Sequence, residues 1–169
     1  GICTFCGVDY EPAKLVDNYY QISNAGNLLW FAQQVNSGKT GINAVLTANI
    51  VVNKNVLNAD GTLNSGSALT EWTPIGNGYS NGYTGTFDGN NHTISGLYFN
   101  DENTDYVGLF GYNSGTIKNV GIIDSYFKGN YYVGGVCGSN VYGTIENSYN
   151  TGSVSGSGWR VGGVCGYNK

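Results

Sequence analysis

Between Asn24 and Val35 the apolar positions fall at 28, 29, 31, 32 and 35. That is helical spacing, with Asn24 as a cap before it and Gly38 as a stop after it. The next apolar run, 44–52, reads as a strand. Residues 53–71 break the pattern, and Asp60-Gly61 and Ser65-Gly66 are turn signals, so this stretch reads as an excursion. From Trp72-Thr73-Pro74-Ile75-Gly76 onward, short β-prone pieces alternate with Gly and Asn turns.

Those pieces repeat. Val-Gly-Gly-Val-Cys-Gly occurs at 133–138 and again at 161–166. Aligned on their apolar-glycine cores, Gly108-Leu109-Phe110-Gly111 matches Gly135-Val136-Cys137-Gly138 and Gly163-Val164-Cys165-Gly166, at steps of 27 and 28 residues. Gly115-Thr116-Ile117-Lys118-Asn119 returns as Gly143-Thr144-Ile145-Glu146-Asn147, and His92-Thr93-Ile94-Ser95-Gly96 reads as a looser earlier copy. Asn recurs after each core, at 113, 140 and 168. A period near 28 with short strands is that of a β-solenoid, whereas a propeller blade needs about 40 residues. The pattern therefore predicts an all-β parallel β-helix of about 27–28 residues per coil and about three strands per coil, rungs roughly 4.8 Å apart. Its core ladder would hold Phe110, Cys137 and Cys165 in one slot and Ile94, Ile117 and Ile145 in another. Stacked asparagines would tolerate left-handed backbone and bond to the neighbour above. The helix at about 24–37 would cover the first coil, whose edges and core would otherwise be exposed. The excursion spans about 53–71, the regular coils about 72–169, and residues 1–17 form a CxxC-containing extension to the solenoid domain at 18–169.

Composition sharpens this picture. Charged residues are 11% of the chain, against 28 Gly and 14 Tyr, which favours short strands and tight turns. Net charge is −4 and the seven Lys and Arg are scattered, so nucleic acid is a poor partner. No apolar run approaches the roughly 18 residues of a spanning helix, so no membrane insertion is expected. Met is absent, which marks a processed product or an excised piece.

The order of motifs YQISNAGNLLWFAQQVNSG, INAVLTANIVVN, WTPIG, YTGTFDGNNHTISGL, VGLFG, GTIKNVGI and VGGVCG resembles surface proteins that carry GLUG repeats, over about residues 18–169. These are secreted or wall-anchored bacterial proteins of Gram-positive gut bacteria. The resemblance implies a right-handed parallel β-helix with an N-terminal helical cap, a location outside the cell or on the bacterial surface, and no catalytic residues within the repeats. Asn49 departs from the family, where Asp is frequent, which matters if that side chain is a ligand or a turn cap.

Few residues suggest chemistry. Cys137 and Cys165 share a slot with Phe110, as small buried hydrophobes do. Adjacent coils would also bring them within disulfide range, and no base or cation adjoins either as a catalytic pair would need. Cys3-Thr4-Phe5-Cys6-Gly7 has the spacing of half a zinc site. The alternatives at Cys3 and Cys6 are a local disulfide, free thiols, a zinc site completed from elsewhere, or redox catalysis without its usual βαβ context. In the GLUG resemblance, such a CxxCG closes a Cys/His cluster whose other half lies upstream. No other cofactor is implied. Asp101 to Asp105 begins like a calcium loop but has Tyr106 and Tyr112 where Gly and Glu belong, so a solvated loop is expected. His92, the lone histidine, reads as a turn residue in the place of Gly115 and Gly143, and its sequon is discounted in a bacterial family.

Four functions fit parts of this pattern. A non-catalytic surface module would be an adhesin, spacer or glycan- or mucin-binding domain, partnered by a host glycan or protein surface through its excess Tyr and Trp. A self-assembling subunit would stack copies head-to-tail into filaments. A carbohydrate-active β-helix enzyme would need clustered acids, whereas Asp88, Asp124 and Glu146 are scattered and Arg160 is the single Arg. An ice-binding solenoid would want broader Thr arrays than Thr93, Thr116 and Thr144.

Overall fold

In the computed structural model, which describes residues 10–66 and 68–169, the chain winds into stacked parallel coils. The longest sheet begins with Lys14–Val16, antiparallel to Tyr19–Ile22, and continues in parallel through Asn43–Leu46, Thr86–Asp88, Thr116–Lys118 and Thr144–Glu146. Four shorter sheets complete the wall. A full turn such as 110–134 carries five short strands, not three, because Gly and Asn corners interrupt pairing every few residues. The opening hairpin also straddles residue 17, so the solenoid's sheet begins inside the stretch read as an extension.

Side chains of like position stack in columns. Ile75, Phe110, Cys137 and Cys165 form one inward column, so the expected Phe/Cys slot is real. Tyr20, Ala44, Phe87, Ile117 and Ile145 form another. Ile94 does not belong to it. It stacks between Ile50 and Ile122 in the neighbouring sheet, and Phe87 fills the place assigned to it. Thr93 therefore stacks on Gly121, and the threonine column is Thr86, Thr116 and Thr144. His92 likewise takes the place of Val120, one position before that pair, rather than that of Gly115.

The helix is Ala25–Asn36. The Asn24 side chain accepts from the Asn27 amide at 2.8 Å, and Gly38 ends the helix at φ 110°. Leu28, Phe31, Ala32 and Val35 turn inward over the first coil. Phe31 meets Tyr83 and Phe87 with ring centroids 6.1 and 6.0 Å apart. Burying a Phe and two aliphatic side chains here stabilises by roughly 1.5–3 kcal/mol each.

The excursion is a small hairpin closed by Leu57 and Leu63. Asn53 pins its base, donating to Thr70 O and Gly96 O and accepting from the Thr70 amide, each at 2.8 Å. Gly96 is at φ +81°, and a Cβ there would lie 1.9 Å from Asn53 O, so only glycine permits this contact. Asp124, 67 positions away from Leu57, accepts from the Val56 and Leu57 amides.

Asparagines do two jobs in two places. Asn113 donates to Asn140 Oδ1 and Asn140 to Asn168 Oδ1, both at 2.7 Å, and Asn113 and Asn140 are buried. Left-handed backbone belongs to a different asparagine column, Asn91, Asn119 and Asn147, at φ 62°, 56° and 47°. No buried side-chain nitrogen or oxygen among the described residues lacks a partner.

Candidate functional site

Aromatic side chains gather on one edge of the coils. Val107, Val133 and Val161 stack, so the residues one place earlier, Tyr106, Tyr132 and Arg160, fall into register at a left-handed corner. Tyr106 and Tyr132 stack face to face, 4.8 Å between centroids and 16° between planes. The Arg160 guanidinium continues the stack 4.8 Å from the Tyr132 centroid, lies 4.5 Å from that of Tyr167, and donates to the Tyr132 hydroxyl. Tyr106 also meets Tyr112 at 5.9 Å, and Tyr112 meets Tyr79 at 5.4 Å. The position before the corner holds Tyr131 and Trp159, edge to face at 6.4 Å. Burial pushes the Tyr106 and Tyr112 hydroxyls up, and neighbouring tyrosines add to it, so both stay neutral donors.

Two rings of this ledge stand clear of the surface, Tyr79 at 78% and Trp159 at 80% exposure. The stacked faces of Tyr106 and Tyr132 cover each other, and both residues are half-buried. The arrangement offers flat apolar platforms beside one guanidinium and several hydroxyls, a surface suited to sugar rings or protein side chains.

The residues considered for chemistry are held apart or already engaged. Asp88 pairs with Lys118 at 3.8 Å, Asp124 is spent on the excursion, and Glu146 is exposed on the last coil. Asp101 closes its own turn, accepting from Thr104 Oγ1 at 2.6 Å and from the Asn103 amide, and these bonds hold its carboxyl below the usual range. Asn49 bonds to the neighbouring coil: its Oδ1 accepts from the Thr93 amide at 3.0 Å and lies 3.2 Å from His92 Nδ1. Among the described residues no group of three or more His, Cys, Asp or Glu could hold a metal. Cys3 and Cys6, the half-zinc or disulfide candidates, lie outside the described residues. Cys137 and Cys165 are free thiols, the first buried and the second half-buried.

A cleft of about 680 Å³ opens between the helix and the strip 68–73. Its floor is Leu29 and Ala32, and its walls run to Tyr10 and Ala68, next to the two undescribed stretches. Asn36 on its rim is committed to Pro74 O and the Gly76 amide. Sequence reasoning gave no sign of this cleft, because its walls come from segments some 40 positions apart.

Comparison with known proteins fits this geometry. Halomucin of Haloquadratum walsbyi is 36% identical over 102 residues, which are 59% of this chain and 1% of that protein. A protein of Evansella cellulosilytica, named as a Gly-rich membrane protein, is 33% identical over 81 residues, 45% of this chain and 9% of its own length. The chain thus spans a small part of the relatives it matches. A solved structure named as an immunoglobulin A1 protease from Bacteroides ovatus superposes with a TM-score of 0.52 at 19% identity, over 95% of this chain and 65% of that one. That likeness is one of fold alone. Residues 129–155 match the GLUG motif. The match starts at Gly129 and stops one residue short of Gly156, the partner stacked on it, so the motif is one full turn of the solenoid. The GLUG resemblance read from the order of the sequence motifs is therefore shown, and the chain is a β-solenoid carrying the GLUG motif at residues 129–155.

Proposed function

We propose that this chain is a non-catalytic module of a cell-surface protein that binds glycan or protein through its aromatic ledge. The names of the two relatives support a surface or membrane-associated setting. The observation that carries the reading is the ledge itself, Tyr79, Tyr112, Tyr106, Tyr132 and Tyr167 in successive ring contact, with Arg160 over Tyr132 and Tyr167 and Trp159 exposed beside it. Against an enzyme stands the dispersal of Asp88, Asp124 and Glu146, each with a structural or solvent-facing role.

A screen of glycans and mucins tests the proposal. Binding by the intact chain should fall at least about fivefold in Trp159→Ala, because a stacked interface ring is worth about 1 kcal/mol or more. Cleavage of any acidic polysaccharide would overturn the non-catalytic reading, and binding indifferent to Trp159→Ala would remove the ledge from it.

Head-to-tail stacking of copies is the second reading. It has to contend with the helix 25–36, which covers the first coil, and with Lys14–Val16, which occupies the first edge in antiparallel fashion. A stacking copy would need to displace both.

A further inference from the structure

We propose that Cys137 and Cys165 form an oxidisable dithiol, whose conversion to a disulfide latches the last coil onto the coil beneath it. The two residues are direct partners in parallel strands Cys137–Asn140 and Cys165–Asn168. Partners in such a pair sit about 4.8 Å apart, inside the Cα range over which a disulfide closes. Their side chains are oriented alike: Cys137 Sγ donates to Ser139 O at 3.3 Å and Cys165 Sγ to Tyr167 O at 3.1 Å. Both therefore project from the same side of the sheet into the same inward column. No other cysteine lies among the described residues.

The pair is chemically asymmetric. The Cys137 thiol beside it draws the Cys165 thiol down. Burial is the main cause that pushes the Cys137 thiol up. Cys165 is also the half-exposed member. Cys165 is thus the attacking thiolate and Cys137 the resolving thiol.

A low-molecular-weight disulfide serves as oxidant. The Cys165 thiolate attacks one of its sulfurs, its S–S bond breaks, and a small thiolate leaves and takes up the proton shed by Cys165. The Cys137 sulfur then attacks Cys165 Sγ in the mixed disulfide. The second small thiolate leaves and takes the Cys137 proton. The chain loses two hydrogens as one small disulfide becomes two small thiols.

The place gives the bond its effect. Val161 and Val164 of the last coil are 41% and 37% exposed, whereas their column partner Val133 and the equivalent Val136 are buried. A segment with few buried apolar contacts opens first. A bridge from Cys165 to Cys137 closes a 28-residue span and holds that segment in register.

The test uses the full chain carrying Cys3→Ser and Cys6→Ser, so that only the pair can respond. Treated with oxidised glutathione, it should become lighter by about 2 Da, with peptides containing Cys137 and Cys165 linked. Amides of 161–168 should then exchange at least about tenfold more slowly, and dithiothreitol should reverse both effects. Adding Cys165→Ser, or Cys165→Ala should the serine variant fail to fold, should abolish both. Stable glutathionylation of Cys165, a disulfide between two chains, or no reaction would each overturn the dithiol. A disulfide that leaves exchange unchanged would overturn the latch.

Discussion

The first and last coils use the same columns and end up in different environments. At the first, Phe31 and Leu28 of the helix lie over the core, and Ile22, Ala44 and Leu46 are fully buried. At the last, Ile145 and Cys165 are half-buried, and Val161 and Val164 are more exposed. The core column also changes chemistry there, because Asn150 stacks where Ile50, Ile94 and Ile122 stand below. Asn150 spends its amide on Gly163 O at 2.8 Å and accepts from the Gly152 amide. The same columns are thus lined differently at the two rungs, apolar under the helix and amide-bonded at Asn150.

That contrast can be tested with three substitutions. Phe31→Ala removes the ring that closes the first coil and should lower unfolding free energy by about 3–5 kcal/mol in urea titration. A loss under about 1 kcal/mol would mean that the helix does not cover the core energetically. Asn140→Ala, midway along the stack, leaves the buried Asn113 amide without its Asn140 acceptor and should cost about 1–3 kcal/mol. Val164→Ala in the last coil should move stability by about 0.5 kcal/mol, as half-exposed positions do. Equal effects from Phe31→Ala and Val164→Ala, measured by the same urea midpoints, would erase the difference between the two ends.

Much of the solenoid is legible in the sequence because its rungs near the end are free of insertions. Phe110, Cys137 and Cys165 recur at the structural period, so aligning them finds a true column. Ile94 shows where that reasoning fails. His92-Thr93-Ile94-Ser95 looks like Gly115-Thr116-Ile117-Lys118 because every wall alternates an inward apolar residue with outward polar ones. Similar residues therefore occur on different walls of one coil, and Thr86-Phe87-Asp88, which has no Ile, is the segment that pairs. The excursion could be read from its turn residues, but its anchor Asp124 is remote and carries no local mark. The excess of tyrosine was equally visible. Which rings meet was not, because Tyr106 joins Tyr112 within a coil and Tyr132 between coils, and only the register of the corner decides that.

The asparagine column has one further consequence. Each amide hands its N–H to the carbonyl of the next rung, Asn113 to Asn140 over 27 residues and Asn140 to Asn168 over 28. The column acts as a gauge that returns to the same point on every turn, while the odd residue is absorbed at a corner elsewhere. A residue inserted so as to shift the column itself would leave a buried amide with nothing to bond. Such a chain can therefore change the length of a coil only at corners off this column, as it does at the excursion closed by Leu57 and Leu63.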